Sequence, residues 1–252
     1  MSEVDVTALQ SELWTEGYFV ARAVLPHPLV AACRGAVERA AEAGVATVGA
    51  FAFDAPWELE RALAPFADAA LGAEARLRPA WWAWLLDTDA PRGWRPHRDR
   101  PDVASDERGA PRSITLWIAL TDATPENGCM YVVPAPLDVQ YVNPNATDDV
   151  MSLQCVRALP APAGSVLGWS SSLLHWGGIS RTGVRGRISL SFEYQTADVP
   201  TPSFPRGWSP TRAERAAHAL EQWDLYAHMH EQPPAARERL SRFLDEALAR
   251  SS

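Results

Sequence analysis

The segment GWRPHRDRP, residues 93–101, places His97 and Asp99 two positions apart. In extended backbone, residues i and i+2 project to the same side, so one imidazole and one carboxylate there can grip a single ion. A third donor has to come from elsewhere in the chain. His175, in SSLLHWGG (171–178), ends an apolar, strand-like run just before two glycines. Two histidines and one carboxylate on one face of a metal leave three coordination positions open, the donor set typical of non-haem Fe(II) oxygenases. Arg187 lies twelve residues beyond His175 and opens the run RISLSFEY (187–194), with Ser189 on the same face. A guanidinium there can clamp a carboxylate through two parallel hydrogen bonds, with the serine hydroxyl adding a donor. If that face points inward, a guanidinium without an anion is costly to bury, so the inward orientation implies an anionic ligand. If it points outward, Arg187 is only a solvated cation at a strand start. His228, His230 and Glu231 also carry metal-capable groups. They fall in a stretch read as helix, where residues two apart diverge by about 200°, and are assigned to a helix surface or end.

These side chains need a scaffold. Leu9, Leu13 and Trp14 fit one short helix that stops near Gly17. A second helix is predicted from about Pro28 to Ala43, with Leu29, Cys33, Ala36, Val37 and Ala40 at helical spacing and Gly44 past its end. Residues 57–71 form a third candidate, interrupted by Pro65. From about 77 to 196 the pattern changes to strands. RSITLWIALT (112–121) alternates Ile114, Leu116, Ile118 and Leu120 against Thr115, Trp117, Ala119 and Thr121. RISLSFEY sets Arg187, Ser189, Ser191 and Glu193 against Ile188, Leu190, Phe192 and Tyr194. Turn signals such as Pro-Glu-Asn-Gly (125–128) and Ala-Gly (163–164) separate the runs. Helix then resumes, with Ser209-Pro210 as a start and Leu240, Phe243, Leu244, Ala247 and Leu248 striping a last element. The predicted fold is mainly β with flanking helices: one domain over 1–252, with a helical part to 75, a sandwich or jelly-roll core over 76–197, and C-terminal helices over 208–250.

Bulk composition narrows the function classes. The chain has 252 residues and a net charge of −8, and all 23 of its basic residues are Arg. An acidic balance disfavours binding to nucleic-acid backbones. No apolar run approaches a membrane span, and the acidic, polar start MSEVDVTALQSELW does not read as a targeting segment, so a cytoplasmic protein is expected. Cys33, Cys129 and Cys155 are odd in number and form no CxxC pair, which indicates buried free thiols rather than disulfides or a cysteine zinc site.

Over most of its length the chain resembles the phytanoyl-CoA dioxygenase family. EGYFVARAVLPHPLVAACRGAV (16–37) is similar to that family's opening helix-strand-helix. His97-Arg98-Asp99 matches its His-x-Asp, SITLWIALTDATPENGCMYVVP (113–134) its strand-turn-strand block, and His175 with Arg187-x-Ser189 its distal motif. The resemblance implies a double-stranded β-helix that uses Fe(II), 2-oxoglutarate and O₂. His97, Asp99 and His175 would be the iron ligands, and Arg187 would pair with the distal carboxylate of 2-oxoglutarate. Ser189, Trp117 and Trp84 would line the co-substrate pocket. Asp99 favours oxygenation, because the related halogenases lose that carboxylate.

The expected reaction is oxidation of a small-molecule substrate, hydroxylation by default, in specialised metabolism, by a monomer or homodimer. A jelly-roll protein that only binds a metabolite, or a zinc hydrolase using the same ligands, are the other readings. Arg92, Arg95, Arg98 and Arg100 could form an anion-binding rim, or a solvated loop balanced by Asp87, Asp89 and Asp102. Trp94, Trp169 and Trp176 are candidates for an aromatic wall, among eleven tryptophans that otherwise serve as core. The polar segments 88–112 and 136–152 are candidate lids.

Overall fold

Gly17, at φ 81°, takes the left-handed conformation that ends a helix, and its N–H closes on the carbonyl of Leu13. The helix before it, α1 (Val6–Glu16), buries Leu9 and Leu13. Trp14, expected on the same stripe, is 49% exposed, because one residue past Leu13 is about 100° further round the helix. These features come from a computed structural model that describes residues 6–86, 93–100, 105–107, 109–142, 152–227 and 234–249.

Helix α2 (His27–Glu42) carries Pro28 in its first turn and buries Cys33, Ala36, Val37 and Ala40. Helix α3 (Asp54–Leu71) begins three residues before the expected start and runs through Pro65. An interior proline costs a helix roughly 3 kcal/mol. Here Leu59, Leu63, Phe66 and Ala67 bury the same face, and each fully buried leucine or phenylalanine returns about 1.5–3 kcal/mol. Tertiary burial therefore carries the helix through the proline.

Among the described residues, eight strands follow the order β1 (Tyr18–Ala21), β2 (Ala75–Leu86), β3 (Ser113–Ala119), β4 (Met130–Val132), β5 (Arg157–Leu159), β6 (Val166–Ser170), β7 (His175–Gly177) and β8 (Arg187–Thr196). They form two antiparallel sheets, ordered β1-β6-β3-β8-β2 and β5-β4-β7. This is a mainly β jelly-roll architecture with flanking helices, the one of the two arrangements left open by the strand pattern, sandwich or jelly roll, that the family resemblance implies. On β3 every residue is buried, against the half-buried strand its alternation suggests. The reason is that both faces are covered: Ile114, Leu116 and Ile118 join the core beneath the helices, while Trp117 and Ala119 face a second cluster between the sheets. Strand β8 sorts as its alternation predicts. Ile188, Leu190, Phe192 and Tyr194 belong to the helix-side core, which leaves Arg187, Ser189, Ser191 and Glu193 on the face between the sheets.

Strand β2 contains a bulge that the sequence reading did not anticipate. Leu77 pairs with Tyr194 and Trp81 with Phe192, so four residues on β2 span two on β8. Pro79 sits in the middle and has no N–H to offer the ladder. The groups freed there are taken up by one side chain of α4 (Arg212–Leu225). Gln222 Nε2 donates to the Pro79 carbonyl at 3.1 Å, and the Trp81 N–H donates to Gln222 Oε1 at 3.1 Å. Helix α4 starts two residues after the expected Ser209-Pro210, because Thr211 and Glu214 form a reciprocal capping box. Helix α5 (Pro234–Ala249) packs Leu240 and Leu244 into the core. No described helix is long and apolar enough to cross a membrane. The three cysteines are free, with Cys33 and Cys129 buried and Cys155 partly so.

Candidate active site

His97 and His175 are brought together by backbone pairing. Residues 94–97 lie along the edge of β7: Trp94 N–H donates to the Gly177 carbonyl, and His97 and His175 exchange both N–H···O bonds at 3.0 Å. Directly opposed residues of an antiparallel pair project to the same face. The two imidazoles accordingly meet with ring centroids 4.4 Å apart. Each ring is oriented by its own backbone. His97 Nδ1 contacts the Arg95 carbonyl at 2.8 Å and His175 Nδ1 the Leu173 carbonyl at 3.0 Å. Donation from Nδ1–H to those oxygens leaves both Nε2 lone pairs free for a ligand.

Asp99 completes the cluster. Its Oδ1 lies 3.5 Å from His175 Nε2 and 3.7 Å from His97 Nε2. Its Oδ2 is held from the other side by Thr115 Oγ1 at 2.6 Å and Trp169 Nε1 at 3.0 Å. One donor atom from each of the three residues lies within 4.8 Å of the others, so the set could hold a metal ion. Burial alone would raise the Asp99 carboxyl. The two imidazoles and the Thr115 and Trp169 hydrogen bonds outweigh it and hold the group below the usual carboxylate range. Burial pushes His175 down to about 4 despite the attraction of Asp99, which keeps the imidazole neutral and able to ligate.

The cluster opens onto a cavity of about 680 Å³ between the sheets. Arg187 lies in the same cavity and is 1% exposed. Its Nη1 donates to the Gly128 carbonyl at 2.7 Å, and its guanidinium sits 5.0 Å from the Trp117 ring centroid. Among the described residues it forms no ion pair, and its Nε has no hydrogen-bond partner. Burial lowers its pKa to about 10. An uncompensated cation in this position is what an anionic ligand would repair. The carbonyl that Arg187 uses comes from the predicted Pro-Glu-Asn-Gly turn. Gly128 has φ 85°, and a Cβ there would lie 2.6 Å from the Gly178 carbonyl oxygen, so glycine is required on both counts.

The other predicted residues divide. Trp117 and Trp84 line the cavity, and Trp84 Nε1 donates to Ser191 Oγ at 3.2 Å. Ser189 is fully buried with its hydroxyl unpartnered, but the cavity wall on that face is made by Ser191 instead. Of the aromatic-wall candidates, Trp94 and Trp169 line the cavity, whereas Trp176 stacks on Tyr131 outside it. Of the rim candidates, Arg95, Arg98 and Arg100 all line the cavity, with Arg98 tied bidentately to Asp138 at 2.7 and 3.2 Å. Arg92, Asp87, Asp89, Asp102 and the rival His228-to-Glu231 cluster lie outside the described residues, as do parts of both candidate lids. Sequence reading missed Thr115, Arg78, Glu193 and Tyr226 on the wall. Glu193 was legible as a member of the Arg187 face. Tyr226, brought in by α4, left no local signal.

Comparison with known proteins agrees with this geometry. The phytanoyl-CoA dioxygenase (PhyH) family model matches residues 15–188. The chain belongs to the phytanoyl-CoA dioxygenase family. It is a 2-oxoglutarate-dependent non-haem iron enzyme that uses Fe(II), 2-oxoglutarate and O₂. No curated protein matches it. Among solved structures it is similar to the epimerase SnoN in complex with Fe³⁺, α-ketoglutarate and nogalamycin RO, at 20% identity and TM-score 0.61, covering 82% of this chain and 95% of that one. It is also similar to the non-haem monooxygenase ThoJ, at 17% identity and TM-score 0.65, over 96% and 99% of the two chains. The α-ketoglutarate-dependent carbocyclase SnoK from nogalamycin biosynthesis matches at 21% identity and TM-score 0.62, over 78% and 85%. At these identities the likeness extends to the fold.

Proposed function

We propose that this family member oxidises a C–H bond of a small organic molecule of specialised metabolism, by hydroxylation. His97, Asp99 and His175 are the iron ligands in this reading, and Arg187 holds the distal carboxylate of 2-oxoglutarate. The observation that carries it is the pairing of two features in one cavity: three converging donor atoms, and a buried guanidinium with no ion-pair partner among the described residues. The donor chemistry fits the metal, since two neutral imidazoles and one carboxylate leave open positions for a bidentate co-substrate and O₂. Iron bound there with 2-oxoglutarate supplies the oxidising power.

The chain's own residues do the rest. The backbone carbonyls of Arg95 and Leu173 fix the imidazole tautomers, and Thr115 and Trp169 keep Asp99 anionic and pointed at the metal. Arg187 and Trp117 present a cation-lined end to a dicarboxylate, and burial excludes competing water. The naming of neighbours as an epimerase, a carbocyclase and a monooxygenase supports small-molecule chemistry at such a cavity. Ferrous iron and 2-oxoglutarate together are expected to raise the anaerobic Tm by more than either alone. That joint shift should vanish in His97→Ala and Asp99→Ala; a shift that persists in both variants would remove these residues from the metal site.

A further inference from the structure

The cavity extends past the metal cluster to an end built from the β2 bulge, β8 and α4. Glu193 pairs in register with Thr115, the residue that clamps Asp99. Cross-strand partners hold their Cβ atoms about 4.5–5.5 Å apart, so Glu193 is the immediate neighbour of the metal-site wall. Its Oε2 is ion-paired with Arg78, which the bulge turns into the cavity. Its Oε1 accepts no hydrogen bond among the described residues, and 14% of the side chain remains accessible. Burial, reinforced by the charge of Asp99 and opposed by Arg78 and Arg100, raises this carboxyl to about 7.

Around this acceptor the wall is aromatic. Tyr226, at the end of α4, packs 4.8 Å from Trp82 and 6.5 Å from Trp84, and Trp84 meets Trp94 edge-on at 4.5 Å. Gln222 locks α4 onto the bulge, so the tyrosine, the arginine and the glutamate are positioned as one unit. Glu193, Gln222 and Tyr226 all lie beyond the part of the chain that matches the family, which ends at residue 188. The cations that act on this carboxyl are Arg78, which is ion-paired with it, and Arg100, which lies on the same wall.

We propose that Glu193 is a specificity-determining residue. Its free oxygen accepts a hydrogen bond from a hydroxyl or ammonium group of a ring-bearing substrate laid against Trp84 and Tyr226, and the site discriminates against carboxylate- or phosphate-bearing substrates. The inference rests on the reading of this cavity as the substrate pocket of an Fe(II)/2-oxoglutarate enzyme. A carboxylate placed against Glu193 meets like charge in a poorly solvated site, whereas a hydroxyl or ammonium fills a vacant acceptor.

The test uses full-length protein loaded with Mn(II) and 2-oxoglutarate at alkaline pH, titrated calorimetrically with 2-naphthylmethylamine, 2-naphthylmethanol and 2-naphthoate. These three share a ring and differ in the polar group. In the wild type the amine and the alcohol should each bind about tenfold or more tightly than the carboxylate, the loss expected of a charge-assisted contact. Glu193→Gln, which can still accept from Arg78, should shrink the amine's advantage over the carboxylate about tenfold. The double variant Arg78→Met/Glu193→Met removes both buried charges, guards against a folding defect from an orphaned arginine, and should bring the three ligands to within about threefold. Wild-type binding of 2-naphthoate as tight as the amine, an order that survives both variants, or failure of all three ligands to bind would overturn the proposal. A wild type that shows no joint Tm shift with metal and 2-oxoglutarate would instead sink the parent reading, which keeps the two failures distinct.

Discussion

Replacing Thr115 with valine removes one hydroxyl and keeps the side-chain shape, so it isolates the hydrogen bond that orients Asp99. That bond, 2.6 Å from Thr115 Oγ1 to Asp99 Oδ2, is short and has an ionised acceptor. Hydrogen bonds to charged groups are worth about 1.5–3 kcal/mol. Trp169 Nε1 still holds the same oxygen at 3.0 Å, so the loss should fall at the lower end of that range. About 1.4 kcal/mol corresponds to a tenfold weaker metal complex. Losing the bond also lets the Asp99 carboxyl titrate higher, because the hydrogen bond favours its anionic form. Metal affinity in Thr115→Val should therefore decline at a higher pH on acidification than it does in the wild type. Anaerobic calorimetry with Mn(II) measures both effects, and Thr115→Ser, which retains the donor, should stay near wild type. A valine variant that folds normally and binds metal within about twofold of wild type would refute the orienting role.

Two further outcomes follow from buried charge. Arg187→Met should abolish the Tm shift caused by 2-oxoglutarate while raising the Tm of the ligand-free protein, by about 2 kcal/mol of stability, because the cation it removes is 1% exposed and without an ion-pair partner among the described residues; thermal melts with and without 2-oxoglutarate check both signs. In metal-free protein, His175 and Glu193 should give opposite pH dependences. His175 falls from 6.5 to about 4 on folding, so its contribution is fully present above 6.5 and is lost as pH drops towards 4. Glu193 rises from 4.5 to about 7, so its contribution is fully present below 4.5 and is lost as pH climbs to 7. Each window spans roughly 3 kcal/mol at most, and the two oppose each other in the wild type. Urea denaturation across this range should show stability falling with pH in His175→Gln and rising with pH in Glu193→Gln; parallel profiles in the two variants would contradict the assignment.

Much of this protein was written locally. The i, i+2 relation of His97 and Asp99, the alternation of β8 that puts Arg187 and Glu193 on one face, and the Pro-Glu-Asn-Gly turn ending at Gly128 all follow from backbone period and turn chemistry over a few residues. Such rules act within one element, so they survive being read from a single chain. Tertiary structure decided whatever depended on which surface covers which. It paired the 94–97 edge with β7 and so set His97 against His175. It buried both faces of β3, turned Trp176 away from the cavity, and paired Arg98, a candidate for an anion-binding rim, with Asp138. It placed Ser191, not Ser189, on the wall. The bulge at Pro79, with Gln222 satisfying the backbone groups it frees, joined residues more than 140 positions apart and carried Tyr226 into the pocket. No periodicity records such a contact, because its cause is the desolvation of a polar group by a helix that arrives much later in the chain.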